Sequence, residues 1–340
     1  MKENQLSRYG AIAKVLKELG PTGKVFFAVS NADAIFAEFQ LEFPRDRDGV
    51  DRVYSTIQGA LDACVAGRGD VVLVMPKTMA QTDTDPSSWA ETLTMTKSLV
   101  SLVGIPSNIT QGGLPQIRKG SGTTALLTIQ APGCLVKNLG FNGIQTSDST
   151  QSLKGIVLDD DGGSTKSAFG TTIEDCHFKN CAGANSSVNA AQGGAINWAS
   201  TGGAWQVRIK GNTFYKNVGD IVLIGTSGSV PQDVIIEDNI FSGPAAYVDC
   251  QLYLAGGSGM ASVVIRNNIF PAFPAIGSGT NLRFADLTGC TGIMCNNYFA
   301  SNAKTFKAAG SGAKIPATVF LTGNYQESTG SAASLIDRTT

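Results

Sequence analysis

The stretch VIIEDNIF, from Val234 to Phe241, returns 29 residues later as VVIRNNIF, from Val263 to Phe270. Aligned on the closing Phe, the same line reads CLVKNLGF at Phe141, TTIEDCHF at Phe178, VRIKGNTF at Phe214 and GIMCNNYF at Phe299, and a degenerate copy, VFLTGNYQ, ends at Gln326. The steps are 37, 36, 27, 29, 29 and 27 residues. This period constrains the fold more than any other property of the chain. A unit of about 30 residues cannot bury its own apolar face and has to stack on its copies.

The columns of the repeat say what is stacked. Five places before the Phe stand Val136, Ile173, Ile209, Ile236, Ile265, Met294 and Leu321, and two places earlier Val207, Val234, Val263 and Val319 are apolar as well. Apolar residues two apart mark a strand with one buried face. Three places before the Phe come Asn138, Asp175, Gly211, Asp238, Asn267 and Asn296, residues that tolerate left-handed backbone and suit a sharp bend. The next column runs Leu139, Cys176, Asn212, Asn239, Asn268, Asn297 and Asn324, and stacked amides of this kind pass hydrogen bonds from rung to rung. A second apolar strand follows each bend, as in GIVLDD from Gly155, GAINWA from Gly194, DIVLIG from Asp220, CQLYLAG from Cys250 and NLRFAD from Asn281. Propeller blades run to about 40–50 residues, and leucine-rich repeats need a Leu spacing that is missing. The pattern therefore predicts an all-β solenoid, a single-stranded parallel β-helix with rungs about 4.8 Å apart. The loops between the strands vary in length, and equivalent loops of stacked rungs fall on one side; they are either tolerated insertions or the place of function, since loops carry function more often than strands do.

Gly at 40 of 340 residues stands above the usual ~7%, and charged residues at 16% stand below the usual ~25%, both as a coil with many bends requires. A net charge of -1 supplies no pull toward nucleic acid or an anionic membrane, and no apolar run is long enough for a membrane span. The polar start MKENQLSRYG lacks a signal-peptide core, and the seven cysteines form no C-x-x-C pair. They are expected to be reduced thiols of a protein made in a cytoplasm, with Cys176 and Cys295 serving as small buried residues in their columns. No zinc spacing surrounds the single His177.

The chain divides into an N-terminal segment at 1–52, a β-helix with its capping helix at 53–326 and a tail at 327–340. In the first, Ile12, Val15, Leu16 and Leu19 lie at helical spacing before the stop Gly20-Pro21, KVFFAVS is a strand, Ile35, Phe36 and Phe39 share a second helix face, and FPRDRDGVDR is a charged linker. The next helix starts at Ser55, with Gln58 at capping-box spacing, carries Ile57, Leu61 and Cys64 on one face, and ends at Gly67 and Gly69 before the buried strand DVVLVMP. A helix in that place covers the open end of a solenoid.

Residues Thr56, Ile57, Gln58, Ala60, Leu61, Gly69, Asp70, Pro76, Glu91, Leu93, Lys97 and Gly104 match the common opening of the pectate-lyase-like right-handed β-helix superfamily, and with the rungs the resemblance spans 54–326. It implies a right-handed coil and leaves the function open, because this fold hosts enzymes and inert stalks alike. The active-site strings of its enzymes are not assembled. Arg208-Ile209-Lys210 matches a polygalacturonase motif but lies inside a repeat line, no Gly-His-Gly accompanies it, and the pectin methylesterase and pectate lyase strings are absent. No catalytic or cofactor-binding residue is assigned, and no cofactor. The acidic run Asp159, Asp160 and Asp161 is the one calcium candidate, with a solvated turn as its simpler reading. Four places before each Phe the charges alternate as Lys137, Glu174, Lys210, Glu237 and Arg266, which predicts exposed neighbouring pairs worth about 0.2–1 kcal/mol each and a face that neutralises itself.

A helical segment ahead of a capped β-helix, without a signal peptide or a catalytic set, resembles the β-helical virion proteins of tailed bacteriophages. That resemblance implies a virion surface protein made in the host cytoplasm, a capsid decoration or spike, docked on capsid or tail proteins through its N-terminal segment. Homotrimerisation is expected, with a host surface glycan as a candidate ligand and neither nucleic acid nor membrane as partner. The alternative is a polysaccharide lyase or hydrolase of the tailspike depolymerase type.

Overall fold

The structure, a computed structural model, describes residues 3–77, 88–106, 113–118, 125–143, 154–160, 167–181, 193–198, 205–223, 231–242, 250–254, 260–270, 283–299, 313–328 and 331–336. Among these the chain winds as a right-handed parallel β-helix with three faces, here sheets A, B and C, of 11, 10 and 8 strands. Every pairing within them is parallel except the last of sheet B, where Asn324–Ser328 and Ser331–Ile336 form an antiparallel pair. Each repeat line supplies a strand to sheet A and, across its bend, a strand to sheet B. In the central rungs Ile209 pairs with Ile236, Ile236 with Ile265, and Phe214 with Phe241.

The columns act as their chemistry predicts. Val136, Ile173, Ile209, Ile236, Ile265 and Met294 are fully buried. The bend residues Asn138, Asp175, Asp238, Asn267 and Asn296 have φ of 56, 53, 58, 57 and 55°, and Gly211 and Gly323 join them at 66 and 61°. The left-handed residue turns the chain, and the next side chain points inward. There Asn212, Asn239, Asn268, Asn297 and Asn324 form a buried ladder. Asn239 Nδ2 donates to Asn268 Oδ1 at 3.0 Å and to Ile209 O at 3.0 Å, while Asn268 Oδ1 also accepts Asn239 N at 3.0 Å. Above the ladder Cys176 N donates to Asn212 Oδ1 at 2.9 Å, and Cys176 Sγ lies 3.7 Å from Val136 O, where an Asn would place its amide. The Phe rings stack from Phe141 through Phe178, Phe214, Phe241 and Phe270 to Phe299, with successive centroids 5.1, 5.1, 5.1, 4.6 and 4.7 Å apart. These spacings are the rung spacing, so ring contact and strand pairing reinforce each other.

The first rung is built differently. Three helices precede or cover it: α1 (Glu3–Leu19), α2 (Ile35–Glu42) and α3 (Ile57–Ala63). The strand Val25–Ala28 lies inside sheet A, between Val53–Tyr54 and Val71–Val74, so the sheet continues across position 52. Alternate residues of that strand face opposite ways. Phe26 and Ala28 join the solenoid core with α3, whereas Phe27 and Val29 join a second core, formed with Ile12, Val15, Ile35 and Phe39 on the outer face of sheet A. The segment FPRDRDGVDR is a fastened turn and not a linker. Asp46 Oδ1 accepts Asp48 N at 2.9 Å and Val50 N at 3.0 Å, Lys24 pairs with Asp46 and Asp48, and Arg45 pairs with Asp51 at 2.7 Å.

The cap of α3 also departs from expectation. Thr56, not Ser55, is the N-cap and accepts Gly59 N at 3.0 Å. Gln58 reaches across to Thr94, and Glu91 takes the Ile57 and Gln58 amides at 3.0 Å each, which puts a carboxylate on the helix N-terminus. No helix among the described residues is long and apolar enough to cross a membrane.

Candidate functional site

Polar side chains on a β-helix divide into those the coil uses and those it leaves over. The charged column of sheet A belongs to the first group, with one correction. Glu237 is 2% exposed, so it is not half of an exposed pair. Its partners are Arg208, whose Nε lies 2.6 Å away, and Arg266, whose Nε lies 2.8 Å away, rather than the neighbouring Lys210. Burial raises this carboxyl, but the hydrogen bonds from both arginines outweigh it and hold the group below the usual carboxylate range. Arg208-Ile209-Lys210 is therefore architectural: Ile209 lies in the core and Arg208 clamps Glu237. At the other end of the column Lys137 lies 3.5 Å from Glu174 and 3.4 Å from Asp175. Cys295, expected to be a small buried residue, is half-buried in this same outward column.

The acidic run sits where the strand Lys154–Leu158 of sheet C ends. Asp159 N extends the ladder to Ile129 O at 2.9 Å, and Asp159 Oδ1 accepts Asp160 N at 2.9 Å. Asp160 is buried, accepts Gln130 Nε2 on its carbonyl at 2.9 Å and forms an antiparallel bridge with Ser167. Asp161 lies outside the described residues. Among the described residues no three His, Cys, Asp or Glu gather as a metal site would need. Further along sheet C the outward Asp286 is buried and accepts Thr288 N at 3.2 Å and Thr288 Oγ1 at 2.6 Å. Registers place it four rungs from the Asp160 strand. At about 4.8 Å per rung that is roughly 19 Å, beyond the ~5–10 Å that separates a glycosidase pair.

His177 faces outward on sheet B between Gly140 and Thr213, and burial, with Lys179 beside it, lowers its imidazole. Four buried thiols are held in the protonated form. Burial pushes Cys134, Cys176 and Cys181 up to about 12 and Cys290 up to about 11, far from the thiolate form.

One carboxyl escaped sequence reading. Asp220 opens the strand Ile221–Val222 and shares a column of sheet C with Ala195, Gln251 and Phe284. That column faces the stacked rings, since a Cβ on Gly155, one rung before Ala195, would lie 3.0 Å from the Phe178 ring, and Phe284 lies 5.3 Å from Phe299. Asp220 is 4% exposed. Asn217 Nδ2 donates to its Oδ1 at 2.9 Å, and the Gln251 amide faces it without a hydrogen bond of normal geometry. Burial pushes the carboxyl up to about 7, because these neutral donors offset only part of the cost of burying a charge. The only sequence signal was an Asp at the start of an apolar run, which reads equally well as a turn.

No protein-family model matches the chain, and no curated protein matches it. Solved structures that resemble it include a pectin methylesterase mutant in complex with a hexasaccharide, at 12% identity and TM-score 0.45 over 92% of this chain and 91% of that one. The Dettilon tailspike protein follows at 10% identity and TM-score 0.36, over 87% and 70% of the two chains. A tailspike protein of Acinetobacter baumannii bacteriophage Fri1, a capsular polysaccharide depolymerase, aligns at 12% identity and TM-score 0.35 over 79% and 58%. What the chain shares with these proteins is the parallel β-helix.

Proposed function

We propose that this protein is a structural component of a tailed-bacteriophage virion surface, a capsid decoration or spike, in which the solenoid projects and the N-terminal segment docks. The observation that carries this reading is the double core. Among the described residues one core runs the length of the coil, and the second, between α1, α2 and the outer face of sheet A, builds a head at its N-terminal end. A free-standing coil needs a cap at that end, which α3 already supplies. The additional outer layer is then available for attachment. The proposal includes a homotrimer made in the host cytoplasm. Its support is an outward column of sheet B in which Ile240, Ile269, Tyr298 and Tyr325 stand in register and are 42, 45, 38 and 47% exposed. Lateral packing of copies would cover that stripe.

The test is mass spectrometry and imaging of purified virions, with light scattering of the isolated protein. We expect the chain in particles, as density that projects from its N-terminal end, and a trimer at micromolar concentration. Absence from purified particles overturns the virion reading, and a stable monomer overturns the trimer. The alternative, a tailspike-type polysaccharide lyase or hydrolase, is separated by incubation with host surface polysaccharide: release of reducing ends or unsaturated products above a no-protein blank would establish it.

A further inference from the structure

We propose that the pocket beside the fastened turn, between the end of α2 and the strand Val53–Tyr54, binds a carboxylate carried by an acidic segment of a protein partner. The pocket holds about 240 Å³ and is bordered by Gln40, Phe43, Pro44, Arg45, Asp51 and Arg52. This is room enough for a carboxylate and its aliphatic stem.

Arg52 points to the ligand. Arg45, Arg68, Arg208 and Arg266 each face a carboxylate, from Asp51, Asp70 and, for the last two, Glu237. Among the described residues no carboxylate pairs with Arg52. Its Nε instead donates to Val25 O at 3.2 Å, and its guanidinium carbon lies 5.8 Å from the Phe27 ring centroid and 5.7 Å from that of Phe43. A carbonyl and two aromatic faces hold the planar group in place, so its ordering cost is met before any ligand arrives. Arg45, at the rim, is partly neutralised by Asp51, so two arginines and one aspartate give the pocket a net charge of one. That suits a monoanion, whereas a phosphate dianion would bring its second charge toward Asp51. Phe43 and Pro44 offer apolar walls for a side-chain stem, and the Gln40 amide offers a further donor.

The identity of the partner rests on the proposal that the head docks, but the pocket's preference for a carboxylate does not. The test uses the full chain and an acetyl-capped hexaglutamate peptide at low salt, followed by calorimetry, with inorganic phosphate as the competing probe. We expect peptide binding that weakens as salt rises, a loss of at least about tenfold in Arg52→Gln and a severalfold loss in Arg52→Lys, which keeps the charge but not the fork. Asp51→Asn should bind about threefold or more tightly, because it frees Arg45, and a merely structural role for Arg52 predicts no such gain. Arg47→Gln, an exposed cation outside the pocket, should change nothing. Binding unaltered in both Arg52→Gln and Asp51→Asn, or phosphate bound more tightly than the peptide, overturns the assignment. Peptide binding by a protein absent from virions would refute only the docking role.

Discussion

Asp220 makes the stability of the coil depend on pH in the direction opposite to most carboxylates. Its carboxyl sits near 7 in the folded chain against 3.8 for the free group. Between those values the folded state holds a proton that the unfolded state has released. Stability contributed through this group is therefore largest below the unfolded value, falls through the window and is fully lost above the folded one. The slope is about 1.4 kcal/mol per pH unit, so a window of about three units amounts to roughly 4 kcal/mol. Asp220→Asn keeps an oxygen for Asn217 Nδ2 to bond and cannot ionise. The assay is denaturant unfolding of the wild type and of Asp220→Asn from pH 4 to pH 9, taken as a difference so that the other titrating groups cancel. The variant should gain on the wild type steadily between about pH 4 and 7, and the difference should then level off. A difference independent of pH would refute the reasoning, since it would mean that the carboxylate is solvated or paired in the folded coil.

Other expectations follow from the columns. Phe241→Ala removes a ring stacked on both sides and should cost about 3–5 kcal/mol in chemical unfolding. Asn239→Ala interrupts the ladder between Asn212 and Asn268 and should cost about 1–3 kcal/mol in the same assay. Glu237→Ala leaves Arg208 and Arg266 facing each other without their shared carboxylate, so it should cost about 1–3 kcal/mol, and a loss near zero would show that the clamp does not form. Cys176→Asn should raise stability by about 1 kcal/mol, because an amide can reach Val136 O better than the thiol does, and a fall in the unfolding midpoint would count against the ladder geometry.

Most of the coil was legible because its rungs repeat the same solutions. Any column that must be apolar, left-handed or amide-bearing on every rung shows itself by recurrence. The failures lie where recurrence stops. The first rung is made once, so nothing in the sequence announced that Val25–Ala28 would insert between Val53–Tyr54 and Val71–Val74, or that Glu91 would cap α3 from 34 residues away. Glu237 was misread because column spacing gives the nearest neighbours of a strand position but not the reach of a long side chain, and Arg208 arrives diagonally. Asp220 and the Arg52 pocket were invisible for the same reason: each is defined by what surrounds a single residue.

The asparagine ladder has a consequence for how such a chain can change length. Each Asn reaches its two neighbouring rungs and no further: Asn239 bonds to Asn268 and Asn268 to Asn297 through the same pair of bonds, and each donates back to a carbonyl of the rung before, Ile209 O and Ile236 O. Phe241, Phe270 and Phe299 are spaced 29 residues apart. Excision of 242–270 would therefore bring Asn239 onto Asn297 and Phe241 onto Phe299 with the inward and outward parity of every strand intact. A cut within a repeat line that is not a whole turn would leave the amides and rings out of step. The molecule can thus be shortened or extended only in whole turns, like a spiral staircase cut between floors, and its length is quantised by the period of one tread.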